Sequence, residues 1–391
     1  MKNLADISSN CLSCPIPKCE PFCPCGNRIR DFFKAAKSGD YELAASILYS
    51  VNPFPELTSA LCDHERQCRG HCVKNRMGAP VDIPSLEAAL GKAFPRPTSI
   101  KEPNGKSVAI IGAGPTSLSA SYFLAKEGFA VEVFEKEQGI GGAILTGIPD
   151  FRFDKSALGH VEADLRKMGV KFHLGAKVEN ALELKKSHDY VLVAVGAGKE
   201  NKAFLPEAEG IVGGLDYLKN PEKVGDAKTA YVWGGGNVAM DCARTLIRKG
   251  KRAVLIYRRS RAEMPAAKVE IEEALSEGVE LCELTNIKDV HLSNGKIDSM
   301  TLIKMRLGEP DESGRASFHE IEGSEETVPC EALVYALGEK PILDLLIDAS
   351  QGEGYQTSKP GVYLLGDARL GAKNIATAIK EGRQCTQEII G

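Results

Sequence analysis

Residues 107–135 read SVAIIGAGPTSLSASYFLAKEGFAVEVFE. A β-branched apolar run from Ser107 to Ile111 leads into the pattern Gly112-x-Gly114-x-x-Ser117, an amphipathic stretch follows, and a second apolar run ends at Glu135. That is strand, tight turn, helix and strand in succession. In such a turn the first glycine allows the sharp bend, and the second lets the backbone approach a pyrophosphate. The helix N-terminus supplies N–H donors and the positive end of its dipole. Ser117 stands where a third glycine is usual, and a side chain this small still permits close helix–strand packing. Glu135, 23 residues after Gly112, is placed to accept both hydroxyls of an adenosine ribose. The bland alternative is a plain strand–helix turn; the complete βαβ unit with its acid favours a dinucleotide site.

The pattern recurs from TAYVWGGG through NVAMDCARTLIRKG to RAVLIYRR. Gly234, Gly236 and Ala239 fit G-x-G-x-x-A, but Tyr257, Arg258, Arg259 and Arg261 stand where an NAD site carries an acid. Arginines there suit a 2′-phosphate and can stack on adenine, which favours NADP; the alternative is a solvated basic turn. The apolar runs DYVLVAVGAG, ALVYALGEKP and GVYLLGDA each end near glycine. Two dinucleotide units in series, the second inserted before a terminal Gly366–Asp367 segment, suggest a flavoprotein reductase in which a nicotinamide delivers hydride to a flavin.

The chain has 391 residues, 43% of them hydrophobic, and a net charge of −4. This supports two or three packed domains and gives no basic face for nucleic acid or an anionic membrane. The opening MKNLADISSN lacks an apolar leader, and no stretch nears the roughly 18 apolar residues that span a bilayer. A cytoplasmic location is therefore expected. Of the 12 cysteines, eight lie in the first 72 residues. Cys242, Cys282, Cys330 and Cys385 are scattered and read as small buried residues.

Residues 11–25, CLSCPIPKCEPFCPC, hold Cys11, Cys14, Cys19 and Cys23 in C-x2-C-x4-C-x3-C, followed by Cys25; Cys62, Cys68 and Cys72 come later. In a reducing compartment such spacing marks a metal centre rather than disulfides. Zinc is the competing occupant, since C-x2-C pairs also build tetrahedral sites. Residues 1 to about 94 have helical stretches and end in the Pro- and Gly-rich FPRPTSIKEPNGK, a domain boundary.

Over nearly its whole length the sequence resembles the small (beta) subunit of glutamate synthase and its relatives. These are the N-terminal half of dihydropyrimidine dehydrogenase and the large subunit of NADH-dependent ferredoxin:NADP oxidoreductase. The resemblance is carried by the cysteine block, NPFPELTSALC, CRGHCVKN, VAIIGAGP, GIPDFRF, GGGNVAMDCAR, YRRSRAEMPA and LLGDA. It implies an α/β fold of two glutathione-reductase-like dinucleotide-binding domains preceded by a helical iron-sulfur domain. The expected division is 1–103 for the iron-sulfur domain, 104–225 with 339–391 for FAD, and 226–338 for NADPH.

The resemblance further implies FAD contacts from Gly112, Gly114, Pro115, Glu135, Gly142, Arg152, Gly366, Asp367 and Thr377. The helix opening at Asn374 to Ala378 would aim its N-terminus at the flavin. NADP contacts would come from Gly234, Gly236, Asn237, Val238, Ala239, Arg258, Arg259, Ala336 and Gly338. Two 4Fe-4S clusters are implied, one on Cys11, Cys14, Cys19 and Cys72, the other on Cys23, Cys62, Cys68 and Glu87. Cys25 is left beside a cluster or as a free thiol. Ser117 departs from the family pattern, as does Ala143 at a position where relatives often carry leucine. Only ten residues precede Cys11, so a docking extension found in some relatives is expected to be absent.

No acid–base dyad, nucleophile or C-x-x-C redox pair accompanies the flavin motifs, so substrate chemistry is expected on a partner catalytic subunit or through ferredoxin, in a hetero-oligomer. The alternatives are a stand-alone NADPH:ferredoxin or sulfide-type oxidoreductase, bifurcating or not, and a redox sensor with a degraded flavin site at Ser117.

Overall fold

The computed structural model describes residues 4–310, 314–347 and 349–391. The chain divides into two compact units, Met1–Leu145 with Phe153–Gly198 and Lys340–Gly391, and Thr146–Arg152 with Lys199–Glu339.

The first unit opens with short helices, Leu4–Ser9, Ile29–Lys37, Tyr41–Tyr49, Pro55–Leu61 and Ile83–Ala93. They begin where local chemistry provides for it. Asp40 accepts from the Leu43 N–H as an N-cap, and proline occupies the first turn of both Pro55–Leu61 and Ile83–Ala93, where its missing N–H costs nothing. Phe32, Phe33, Leu48, Leu86 and Leu90 close the core between them. The cysteines line this core's edge, on the irregular segments between helices.

Arg96 joins the helices to the sheet domain that follows. Its Nε donates to Pro53 O at 2.6 Å, and its guanidinium pairs with Glu56 and, at 2.7 Å, with Asp164, while lying over the Phe54 ring. A buried cation is tolerated here because every prong has a partner.

The sheet is fully parallel. Its order is Val362–Leu364, Tyr190–Val193, Ser107–Ile111, Ala130–Glu135 and Lys171–Leu174. The central strands are near-continuous apolar runs, as burial on both faces requires. Helix Pro115–Lys126 crosses over from the first strand and is buried along most of its length, because the C-terminal helix Ile375–Ile390 packs on it. Small residues permit the close approach: a Cβ on Gly382 would lie 2.3 Å from Thr116 O, and Ser119 Oγ donates to Ile379 O at 2.7 Å. Ser117 is fully buried in the same helix, so a serine does fit the third position of the fingerprint.

The second unit has its own parallel sheet, ordered Ile211–Gly213, Leu333–Tyr335, Thr229–Trp233, Arg252–Ile256 and Glu280–Cys282. An antiparallel layer follows. Thr285–Ser293 and Lys296–Pro310 form a hairpin closed by Asn294 and Gly295, both at positive φ, the type I′ geometry that matches strand twist. The sheet recruits Ile211–Gly213, so the unit begins well before residue 226, the start expected from the sequence; a three-residue strand offers no periodicity to detect. No helix among the described residues is long and apolar enough to cross a membrane.

Candidate functional site

At the first fingerprint the two glycines do different work. Gly112 has φ +96°, and a Cβ there would lie 2.7 Å from Ala194 O. Gly114 has ordinary extended angles, φ −75° and ψ 176°, which any residue adopts. Its missing Cβ instead faces open space at the start of helix Pro115–Lys126, the place where a phosphate would meet unpaired N–H groups.

Other expected FAD residues converge on this helix start. A Cβ on Gly142 would lie 2.9 Å from Gly114 Cα, and one on Gly366 would lie 2.4 Å from Thr116 Oγ1. Glu135 is buried, its Oε2 accepting from Ala113 N at 2.7 Å and its Oε1 from Glu137 N at 2.8 Å. These bonds fix the carboxylate and leave further lone pairs available. Asp367 is half-buried, accepts from Lys373 N at 3.1 Å, and has its carboxyl pushed up by burial. Asn374 caps helix Ile375–Ile390 by accepting from Thr377 N at 3.0 Å.

Arg152, expected as a flavin contact, sits in an ion-pair network. It belongs to the second unit, where its guanidinium is held by Asp241 at 2.7 Å and Glu270 at 2.8 Å. Arg244 extends the network, binding Glu270 and Glu277 at 2.8 Å each. Burial drives the Asp241 carboxyl up to about 7 despite the arginine beside it.

The second fingerprint repeats the division of labour. Gly234 has φ +151° and would bring a Cβ within 2.3 Å of Ala336 O, whereas a Cβ on Gly236 would meet nothing within 4 Å. Asn237 Oδ1 accepts from Ala267 N at 2.9 Å. Ala239 is fully buried under the turn, and Val238 is half-buried beside Gly214. Ala336 and Gly338 follow the strand Leu333–Tyr335. The two arginines part company: Arg258 is exposed, with its guanidinium 4.2 Å from the Phe318 ring centroid, whereas Arg259 is buried and donates to Ala316 O at 2.6 Å.

The cysteines fall into two groups. Cys11, Cys14, Cys19 and Cys72 line one small cavity. Cys23, Cys25, Cys62 and Cys68 lie within electrostatic reach of Glu87. Glu87 is buried, its Oε1 accepting from Asn27 Nδ2 at 2.6 Å and its Oε2 from Thr58 Oγ1 at 3.3 Å. Burial lifts its carboxyl to about 7. Burial also pushes the Cys19 thiol up to about 12 and raises Cys11, Cys23, Cys62 and Cys68. Donors of this kind are ionised by ligation, which releases their protons. Among the described residues, no three Cys, His, Asp or Glu side chains converge as ligands of one metal ion. The Asn27 Oδ1 atom is buried with no hydrogen-bond partner.

Three residues hydrogen-bonded around this group lack any motif signal. Asn27 and Thr58 hold Glu87, and Arg383 reaches from the C-terminal helix to the carbonyls of Cys25 and Val51.

Two glycine cradles on successive parallel sheets, behind a helical domain with two cysteine groups, define a two-nucleotide flavoprotein oxidoreductase with an iron-sulfur domain. Residues 106–382 match the family model described as pyridine nucleotide-disulphide oxidoreductase, and residues 2–95 match that of dihydropyrimidine dehydrogenase domain II, 4Fe-4S cluster. The NADPH glutamate synthase small chain of Escherichia coli K12 is 31% identical over 427 residues, covering 98% of this chain and 90% of that protein. The NADP(+)-dependent formate dehydrogenase subunit beta of Moorella thermoacetica is 32% identical, covering 95% of this chain and 59% of that one. Among solved structures, Mycobacterium tuberculosis FprA in complex with NADPH shares the fold with a TM-score of 0.65 at 19% identity, over 73% of this chain and 84% of that one. The chain belongs to the glutamate synthase small-chain family of pyridine nucleotide-disulphide oxidoreductases.

Proposed function

We propose that the chain is an electron-transfer subunit that takes hydride from NADPH and passes single electrons to a partner that performs the substrate chemistry. FAD in the first cradle would accept the hydride, and two 4Fe-4S clusters would carry the electrons onward singly. The observation that carries this reading is the placement of the Cys23, Cys62, Cys68 and Glu87 group in the same compact unit as the first dinucleotide sheet, tied to its C-terminal helix through Arg383. One-electron carriers beside a flavin site are superfluous if hydride only moves to a small organic acceptor.

The chain's own residues have distinct tasks. Gly114 and Gly236 leave room for a pyrophosphate at each helix start. Glu135 holds the adenosine ribose of FAD, and Asp367 accepts from the ribitol hydroxyls. The positive end of helix Ile375–Ile390, rigidified by the Asn374 cap, favours negative charge on the flavin ring. Exposed Arg258 receives the 2′-phosphate of NADPH, while Arg259 is anchored on Ala316 O and shares the Phe318 ring with it. Cys11, Cys14, Cys19 and Cys72 hold the outer cluster. Around them Leu12, Ile16, Val73 and Met77 are exposed apolar side chains, a surface suited to a docked protein. The relatives named as a small chain and a subunit beta favour a partner of this sort.

Purification from the native cell tests the reading. A stoichiometric second subunit, lost together with substrate turnover when the two are separated, supports it. A monomer with full activity contradicts it.

A further inference from the structure

The turn from Cys23 to Asn27 is fastened on two sides. On its own side, Asn27 N donates to Cys23 Sγ at 3.4 Å and Gly26 N to Cys23 O at 2.9 Å. From the sheet domain, Arg383 Nη2 donates to Cys25 O at 3.0 Å and Nη1 to Val51 O at 2.6 Å. Gly26 accommodates the guanidinium: it has φ +80°, and a Cβ there would lie 3.4 Å from Arg383 Nη2.

Arg383 sits on helix Ile375–Ile390, nine residues beyond the Asn374 cap, or roughly 13 Å along the axis. That helix cannot drift, because Gly382 presses on the backbone of Thr116 and Ala120 and Ser119 holds Ile379 O. The two backbone acceptors of Arg383 are neutral carbonyls, and the guanidinium also lies within hydrogen-bonding reach of the Cys25 thiol, so its positive charge stands beside this cysteine group. An electron arriving at the neighbouring cysteine group adds negative charge, and a fixed cation in a half-buried setting favours it.

We propose that Arg383 is a positioning residue for the Cys23, Cys62, Cys68 and Glu87 group: it locks the Cys23–Asn27 turn to the flavin domain and supplies the charge that makes this group easier to reduce. The proposal rests on the two-cluster reading above.

The test is an anaerobic redox titration of the holoprotein followed by EPR, comparing wild type with Arg383→Gln and Arg383→Lys. In Arg383→Gln the signal that Glu87→Ala abolishes should be harder to reduce by about tenfold in its equilibrium constant, about 59 mV for a one-electron couple. The other signal and the flavin spectrum should not move, and Arg383→Lys should lie nearer wild type because it keeps the charge. Loss of one cluster's iron from Arg383→Gln with flavin retained also supports the locking role. Unmoved potentials, equal shifts of both signals, or joint loss of flavin and all iron in both variants would overturn the proposal while leaving the two-cluster reading intact. Wild-type protein with iron for a single cluster would overturn that reading, and this proposal with it.

Discussion

Asn27 Nδ2 donates to Glu87 Oε1 at 2.6 Å across sixty residues of sequence, and both side chains are buried. On the proposed reading this carboxylate, held beside Cys23, Cys25, Cys62 and Cys68, is the fourth ligand of one cluster. Glu87→Ala should remove the iron of one cluster and its EPR signal while leaving the flavin spectrum and the other signal in place. Unchanged iron content and spectra would remove Glu87 from the ligand set.

Arg258 and Arg259 differ in burial, and their replacements should differ accordingly. Arg258→Gln should raise the KM for NADPH by about thirtyfold, the worth of a charge-assisted hydrogen bond of about 2 kcal/mol, with NADH little affected. Arg259→Gln should lower thermal stability as well, since it orphans Ala316 O. Equal losses with both nucleotides in Arg258→Gln would contradict the phosphate-binding role.

Gly236 has angles that alanine adopts freely and open space at its Cβ position. Gly236→Ala should therefore melt within about 0.5 kcal/mol of wild type and retain its flavin, yet bind NADPH weakly, because the methyl group fills the pyrophosphate cradle. Nucleotide titration by fluorescence alongside thermal melting reads both effects; undiminished NADPH affinity would mean that the cradle is not used.

Asp241 sets a pH dependence of stability. Its carboxyl is raised from 3.8 to about 7, chiefly by burial, so the folded chain binds this proton more tightly than the unfolded one. Stability from this group is then greatest below pH 4, declines as pH rises towards 7, and levels off above. Asp241→Asn should flatten that decline in urea melts recorded between pH 4.5 and 8. A variant with the wild-type slope would assign the dependence to other groups.

The parts of this molecule that were legible in the sequence are those where one residue type answers one local demand. Gly112 and Gly234 sit where backbone carbonyls exclude a Cβ, and the strands flanking them are apolar on both faces, so the two dinucleotide sheets were readable. The spacing of the cysteines marked a metal centre, and their division into two ligand sets came from the family resemblance alone. What escaped detection depends on long-range packing. Arg383 lies 358 residues from Cys25, and an arginine on an amphipathic helix carries no motif. The start of the second unit was hidden because Ile211–Gly213 becomes a strand only through its pairing with Leu333–Tyr335. The ion pairs of Arg152 with Asp241 and Glu270, which come from two helices of the second unit, were hidden as well; periodicity says nothing about such pairs.

The central claim is that hydride from NADPH leaves this chain as single electrons. Anaerobic titration of the iron- and flavin-loaded protein with NADPH, followed by absorbance and EPR on the same samples, tests it most directly. The account predicts bleaching of the flavin together with the appearance of reduced-cluster signals at substoichiometric NADPH. A flavin that bleaches fully while no cluster is reduced, or one that NADPH does not bleach at all, would contradict it.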